Sequence, residues 1–397
     1  MTYISELNID STQLDASGFF PTSQKVILGN YVQDKDNLPL LVDRVGTGSQ
    51  VWSAGEVTMS VTAGQFAVAQ TKICHPYISN HPSLYSITFG GFGVQANVTK
   101  RVLACRSSTA SPFTATLDGI GIEMDGTTHN LIIRKGGAAV LTLARASWDD
   151  PLNGTGASGI NYDFNNFTVL DFDYLYLGGT AVRFFIKYGS QLVLFHTYNH
   201  AGLNANTFVN SPNFNIRWEI RSTGGTGSMR QICASYSTLG GTEVIGKDFA
   251  FDNNTAFVNA NVVGTEYLLL AVRLKAANLN SYVVPRAIST LAATNDNYIL
   301  RLRLNPTIAG AALIWNNLVN TPCEFARGDA AGTNTITATG PANASYYSPQ
   351  NREQLIQRAF LLALGSTLAG TADILTVSVV PLTTNLDIFG ALNMVEI

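Results

Sequence analysis

A chain of 397 residues exceeds one ordinary domain of about 100–200 residues and implies two or three. Charged residues make up only 13% against 46% apolar, with 35 glycines, a composition suited to extensive contact between protein surfaces rather than to a charge-solvated monomer. A net charge of −3 excludes the basic footprint that neutralising phosphates requires, and no apolar run approaches the roughly 20 residues that span a bilayer, so neither nucleic acid nor membrane is an expected partner.

Residues 1–50 lack sustained alternation and carry Gly18, Pro21, Gly29, Pro39, Gly46 and Gly48; the expectation is an extended N-terminal arm ordered against neighbouring subunits. Met1-Thr2-Tyr3-Ile4-Ser5-Glu6 has neither the basic start nor the apolar run of a secretion signal, which predicts synthesis in the cytosol without standard export. Over Glu56–Thr62, Val57, Met59 and Val61 alternate with Thr58, Ser60 and Thr62, the period of a half-buried strand. Gly119–Met124, the turn residues Asp125-Gly126 and Asn130–Lys135 spell a hairpin. Thr168–Tyr176, Ala181–Tyr188 and Gln191–His196, separated by Gly178-Gly179 and Gly189-Ser190, predict a three-stranded meander of the kind found in sandwiches and barrels. Asn215–Arg221 and Tyr298–Leu304 repeat the half-buried pattern through Ile216, Trp218 and Ile220, and through Tyr298, Leu300, Leu302 and Leu304.

Gly240-Gly241 within Thr238–Thr242 marks a boundary between a central jelly-roll-like sandwich over 51–240 and a smaller C-terminal β-sandwich over 241–397. Glu353–Leu364, preceded by Ser348 and Pro349, reads equally as a capped helix or as a strand, Arg358–Leu364, pairing with Ile374–Val380. The expected class is all-β with antiparallel sheets.

Candidate chemistry is sparse. Cys74, Cys105, Cys233 and Cys323 form no C-x-x-C and read as buried small hydrophobes. His196 and His200 close a strand, where four residues separate their backbones by about 13 Å, too far to share an ion easily. The Cys74-His75 pair with His81 also lacks zinc spacing. The turn Asp149–Gly156 is rich in oxygen but lacks the spaced acids of a dedicated calcium loop. Asp171 and Asp173 are the best acid pair, on one strand face with backbones about 6.6 Å apart, opposite a core face of Leu170, Phe172, Tyr174 and Tyr176; they are expected on solvent. No G-x-S-x-G is present, and Gly90-Gly91-Phe92-Gly93 opens no helix. Trp52, Trp315, Tyr346 and Tyr347 are candidates for stacking on sugars, against the commoner fate of core packing. No catalytic, cofactor-binding or metal-binding residue is therefore assigned, no cofactor is expected, and the chain reads as a non-enzyme.

The run Asp150-Pro151-Leu152-Asn153-Gly154-Thr155-Gly156-Ala157-Ser158-Gly159, with Phe167–Tyr176, Val182–Tyr188 and Leu192–His200, resembles a segment recurring in phage virion structural proteins, those of aquatic phages in particular. Arg286–Leu291 with Asn295-Asp296-Asn297-Tyr298 and Arg303-Leu304-Asn305-Pro306 resembles its companion, the two together covering most of 50–397. The resemblance implies a subunit of the virion shell, decoration, tail or fibre that assembles as a homo-oligomer, a trimer for example, with other virion proteins as partners. A carbohydrate- or receptor-binding module reading a host surface glycan is the alternative. Thr168–Tyr176 followed by Val182–Gly189 is also similar to the strand-turn-strand of concanavalin A-like sandwiches in lectins and laminarinase-type glucanases, without the E-x-D-x-x-E strand of those glucanases.

Overall fold

The computed structural model describes residues 25–32, 42–78, 81–107, 118–174, 180–239, 246–253, 256–294, 296–338, 343–348, 352–355 and 363–397. Two compact units divide the chain, Met1–Val244 and Ile245–Ile397. Among the described residues there is no α-helix; both units are built from antiparallel sheets.

The strands of the first unit are β1 (Lys25–Val32), β2 (Val42–Gly46), β3 (Ser49–Ser53), β4 (Glu56–Val61), β5 (Phe66–Thr71), β6 (Ser83–Gly90), β7 (Val98–Arg106), β8 (Asp118–Met124), β9 (His129–Lys135), β10 (Ala138–Ala144), β11 (Thr168–Tyr174), β12 (Ala181–Tyr188), β13 (Gln191–Asn199), β14 (Asn215–Ser222) and β15 (Gly227–Leu239). One sheet runs β13-β12-β11-β6-β15-β4-β3, with β1 also on β15; the other runs β10-β9-β8-β7-β14-β5-β2. They close on one core, a jelly-roll-like sandwich in which Tyr85, Ile87, Phe172, Phe184 and Met229 meet Val102, Ile120, Ile122 and Trp218. Each such side chain contributes about 1.5–3 kcal/mol by leaving water. Tyr85 stacks on Phe172 with centroids 5.3 Å apart.

The predicted hairpin and meander are present. Asp125 Oδ1 accepts from the Thr127 and Thr128 amides (2.8 and 2.9 Å), and Gly126 takes φ +98°, so side-chain chemistry and glycine freedom together turn the chain between β8 and β9. Gly189 (φ +59°) and Ser190 join β12 to β13. The Gly178-Gly179 turn lies outside the described residues.

Within the stretch 1–50 assigned to an arm, β1 pairs with β15, β2 with β5, and β3 with β4. These backbones are satisfied inside their own sandwich, by register that local alternation does not display. Residues 1–24 and 33–41 lie outside the described residues.

The second unit comprises β16 (Lys247–Asp252), β17 (Val258–Ala260), β18 (Tyr267–Leu274), β19 (Val283–Ala292), β20 (Tyr298–Leu304), β21 (Thr307–Ala309), β22 (Asn316–Asn317), β23 (Cys323–Arg327), β24 (Thr335–Ala338), β25 (Ala344–Ser348), β26 (Arg352–Leu355), β27 (Ile374–Pro381) and β28 (Leu386–Glu396). A sheet ordered β16-β28-β19-β26, with β17 on β28, faces a larger one ordered β21-β24-β18-β27-β20-β25, which β23 and β22 extend. Phe251, Ile288, Leu392 and Met394 from the first meet Leu270, Val272, Leu300 and Val377 from the second.

Two expectations change here. β27 lies between β18 and β20, so it is not the partner of a strand at 358–364: a central strand has both edges taken. Residues 352–355 are strand β26 on β19, and 356–362 lie outside the described residues. β14 is covered on both faces rather than one, Arg221 alone being exposed.

Candidate functional site

Asp171 and Asp173 do share one face of β11, and Leu170, Phe172 and Tyr174 do face the core. The acids are nonetheless buried rather than exposed. Register explains Asp173: it stands opposite Arg183 on β12, which donates to it through Nε (2.9 Å) and Nη2 (2.6 Å). Asp171 lies 3.8 Å from Lys187 Nζ. Both acids are parts of cross-strand ion pairs.

The histidines are held separately. His196 Nδ1 sits 3.1 Å from Asp149 Oδ2, close but without hydrogen-bond alignment, and burial lowers its pKa against the opposing pull of Asp149. His200 Nδ1 meets the Tyr198 hydroxyl at 2.8 Å. His75 packs between Tyr85 and Tyr236 with Nδ1 2.9 Å from the Phe214 carbonyl, and desolvation brings it down to about 3. Burial likewise pushes the Cys74, Cys105 and Cys323 thiols up to about 12, leaving them inert. Among the described residues no three His, Cys, Asp or Glu side chains are grouped to hold a metal ion.

The oxygen-rich turn 149–156 caps itself. Asp150 accepts from the amides of Leu152 (2.9 Å) and Ser158 (2.7 Å), and Arg145 Nε donates to the Pro151 carbonyl at 2.7 Å. A Cβ on Gly156 would stand 2.0 Å from Asp150 Oδ1, so this carboxylate fills space that only glycine leaves.

Sequence reading missed a charged row on the outer face of the β7–β8–β14 sheet. Glu123, Arg101 and Glu219 stand in register, with Arg101 bonded to Glu123 and 3.4 Å from Glu219. Arg217 Nε adds a 2.8 Å bond to Glu219. Alternation around Trp218 signalled a polar face but not its burial.

Of the aromatics, Trp315 lies under Arg273 with the guanidinium 3.9 Å from its centroid, Trp52 is 38% exposed, and Tyr347 is 76% exposed on edge strand β25. Tyr346 packs against the second core.

An open groove of about 470 Å³ lies on the outer face of β16, β28 and β19, in the 300–1,000 Å³ range usual for ligand sites. Asp252, Ala391 and Ser289 stand in register across the three strands, so a methyl group forms the floor between two taller polar side chains. One pleat along, Phe389 stands opposite Leu291, which is 49% exposed. Phe257 meets Phe389 edge to face with centroids 6.0 Å apart. One pleat the other way along β28, beyond the groove's lining, Asn393 lies between Ala250 and Ala287. Below, Asn253 Oδ1 accepts from the Gly390 amide (2.7 Å) while its Nδ2 donates to the Leu269 carbonyl (3.2 Å), pinning the end of β16 to its neighbours. Arg327 Nε donates to the Asp252 carbonyl at 2.7 Å, and its Nη2 is 4.0 Å from Asp252 Oδ1. Sequence reading did not find this site because residues 252, 289 and 389–391 come together only through register.

No protein-family model and no curated protein matches the sequence. Solved structures similar to the chain include the legume lectin-like domain from Entamoeba histolytica (12% identity, TM-score 0.35, covering 55% of this chain and 98% of that one). The Bacillus licheniformis beta-glucanase is similar at 13% identity and TM-score 0.33, covering 55% and 98%. The Ca2+/Man3GlcNAc-bound VIP36 exoplasmic/lumenal domain is similar at 10% identity and TM-score 0.35, covering 55% and 91%. At these values function rests on the chain's own residues.

Proposed function

We propose that this chain is a carbohydrate-binding β-sandwich protein and that the open groove of its second unit is the recognition surface. The observation that carries the reading is a shallow trough with an aromatic ring and a methyl floor between polar walls, Phe389 and Ala391 between Asp252 and Ser289. Sugars present C–H faces and hydroxyl edges, which such a surface matches. A glycan array followed by solution titration tests it: the native chain binds at least one glycan, and Phe389→Ala weakens that binding roughly tenfold, the loss expected for an aromatic contact of about 1.4 kcal/mol. Absence of binding across the array rejects the reading.

A second reading, a repeated subunit of a virus particle, is favoured by exposed apolar side chains in the second unit. Ile314 and Val319 flank β22 at 78% and 76% exposure. Such side chains are suited to burial between copies. Sedimentation of the native chain and of an Ile314→Ser, Val319→Ser double variant tests it; association of the former that is lost in the latter is the expected result, and a monomer at all concentrations rejects it.

A further inference from the structure

We infer that the groove on β16, β28 and β19 takes an uncharged pyranose lying flat on Ala391 and Phe389, in preference to an anionic sugar; this rests on the carbohydrate-binding reading above. Adjacent strands are about 4.8 Å apart, so the backbones of Asp252 and Ser289 stand about 9.5 Å apart across the floor. Phe389 and Asn393, four residues apart on β28, are separated by about 13 Å along it. The floor is therefore bounded by polar side chains on both long sides, with an aromatic ring at one end and Asn393 one pleat beyond the other. A ring set on edge meets polar walls with its C–H faces. One lying flat puts a C–H face on the methyl and the phenyl ring and sends its rim hydroxyls to Asp252, Ser289 and Asn393.

Charge selects among flat rings. On β16, β28 and β19 the acids of this face are Asp248, Asp252 and Asp387. Arg286 is bonded to Asp248, Lys247 Nζ to the Asn320 carbonyl, and Arg327 to the main chain of Asp252 while lying 4.0 Å from its carboxylate. Asp387 accepts from Asn259 Nδ2 at 2.6 Å. The cations of β16 and β19, Lys247 and Arg286, and the adjoining Arg327 are thus already committed to an acid or a carbonyl. A carboxylate on the sugar would meet Asp252 without a counter-charge of its own, and like charges at contact distance are costly.

Calorimetric titration of the full chain with the methyl pyranosides of glucose, galactose and mannose, and with N-acetylneuraminic acid, tests the inference. At least one neutral pyranoside is expected to bind, and N-acetylneuraminic acid to bind roughly tenfold or more weakly, a difference of about 1.4 kcal/mol. Asp252→Asn narrows that gap. Ala391→Phe, which fills the floor on the solvent side, abolishes binding while the variant melts with the native protein. Preference for N-acetylneuraminic acid, or unchanged affinity in Ala391→Phe, overturns the inference and leaves glycan binding standing at another surface. Failure of every saccharide, including those of the array, takes down both.

Discussion

Glu266 ties together three side chains of the second unit: Arg303 Nε at 2.7 Å, Arg301 Nη1 at 2.8 Å and the Ser378 hydroxyl at 2.6 Å. Burial alone would raise its pKa, but the hydrogen bonds from Arg303, Ser378 and Arg301 outweigh it and hold the carboxyl below its ordinary value. Glu266→Ala leaves two arginines without their shared acid and is expected to cost about 3–5 kcal/mol in chemical denaturation. Because the folded pKa is depressed, this contribution is present above the ordinary value of 4.5 and is lost as pH falls through the folded one. His75 and His129 act over a higher window. Desolvation lowers them from 6.5 to about 3 and about 4, so between these values the unfolded chain binds more protons and stability falls as pH falls. His75→Asn is expected to show a shallower loss of stability from pH 6.5 downward, followed by denaturation midpoints; an unchanged slope refutes the assignment.

At the scale of elements, turn chemistry and alternation carried most of the reading. β4 shows the predicted alternation, Val57, Met59 and Val61 inward, because one face meets the core and the other meets water. β14 defeats the same rule, since its second face is covered and Arg217 and Glu219 are satisfied by pairing rather than by water. Within the same sheet β8, which lies next to β7, packs closely by having no side chain at Gly121. A Cβ there would sit 2.1 Å from the Val102 carbonyl and 2.9 Å from Leu103, so Gly121→Ala is expected to destabilise by about 1–3 kcal/mol through strand displacement. Urea unfolding measures it, and a neutral result means the two strands separate without penalty. The acid pair was legible as a pair and misplaced as to solvent, because strand periodicity puts Asp171 and Asp173 on one face but says nothing of Arg183 across the sheet.

At the scale of the whole molecule, the two main cores share no residue: one spans Val42 to Tyr236, the other Phe251 to Met394. Scanning calorimetry is therefore expected to resolve two transitions, with Glu266→Ala lowering only one of them. A single transition shifted as a whole by that variant counts against independent units. By itself the sequence determined that the chain is all-β and where its tight turns fall, because period-2 alternation and turn residues are local properties of the backbone. Only the tertiary structure decided which polar faces are covered and which segments adjoin. Asp252, Ser289 and Ala391 make one groove solely through the register of three strands distant in the chain, and no local pattern encodes register across such distances.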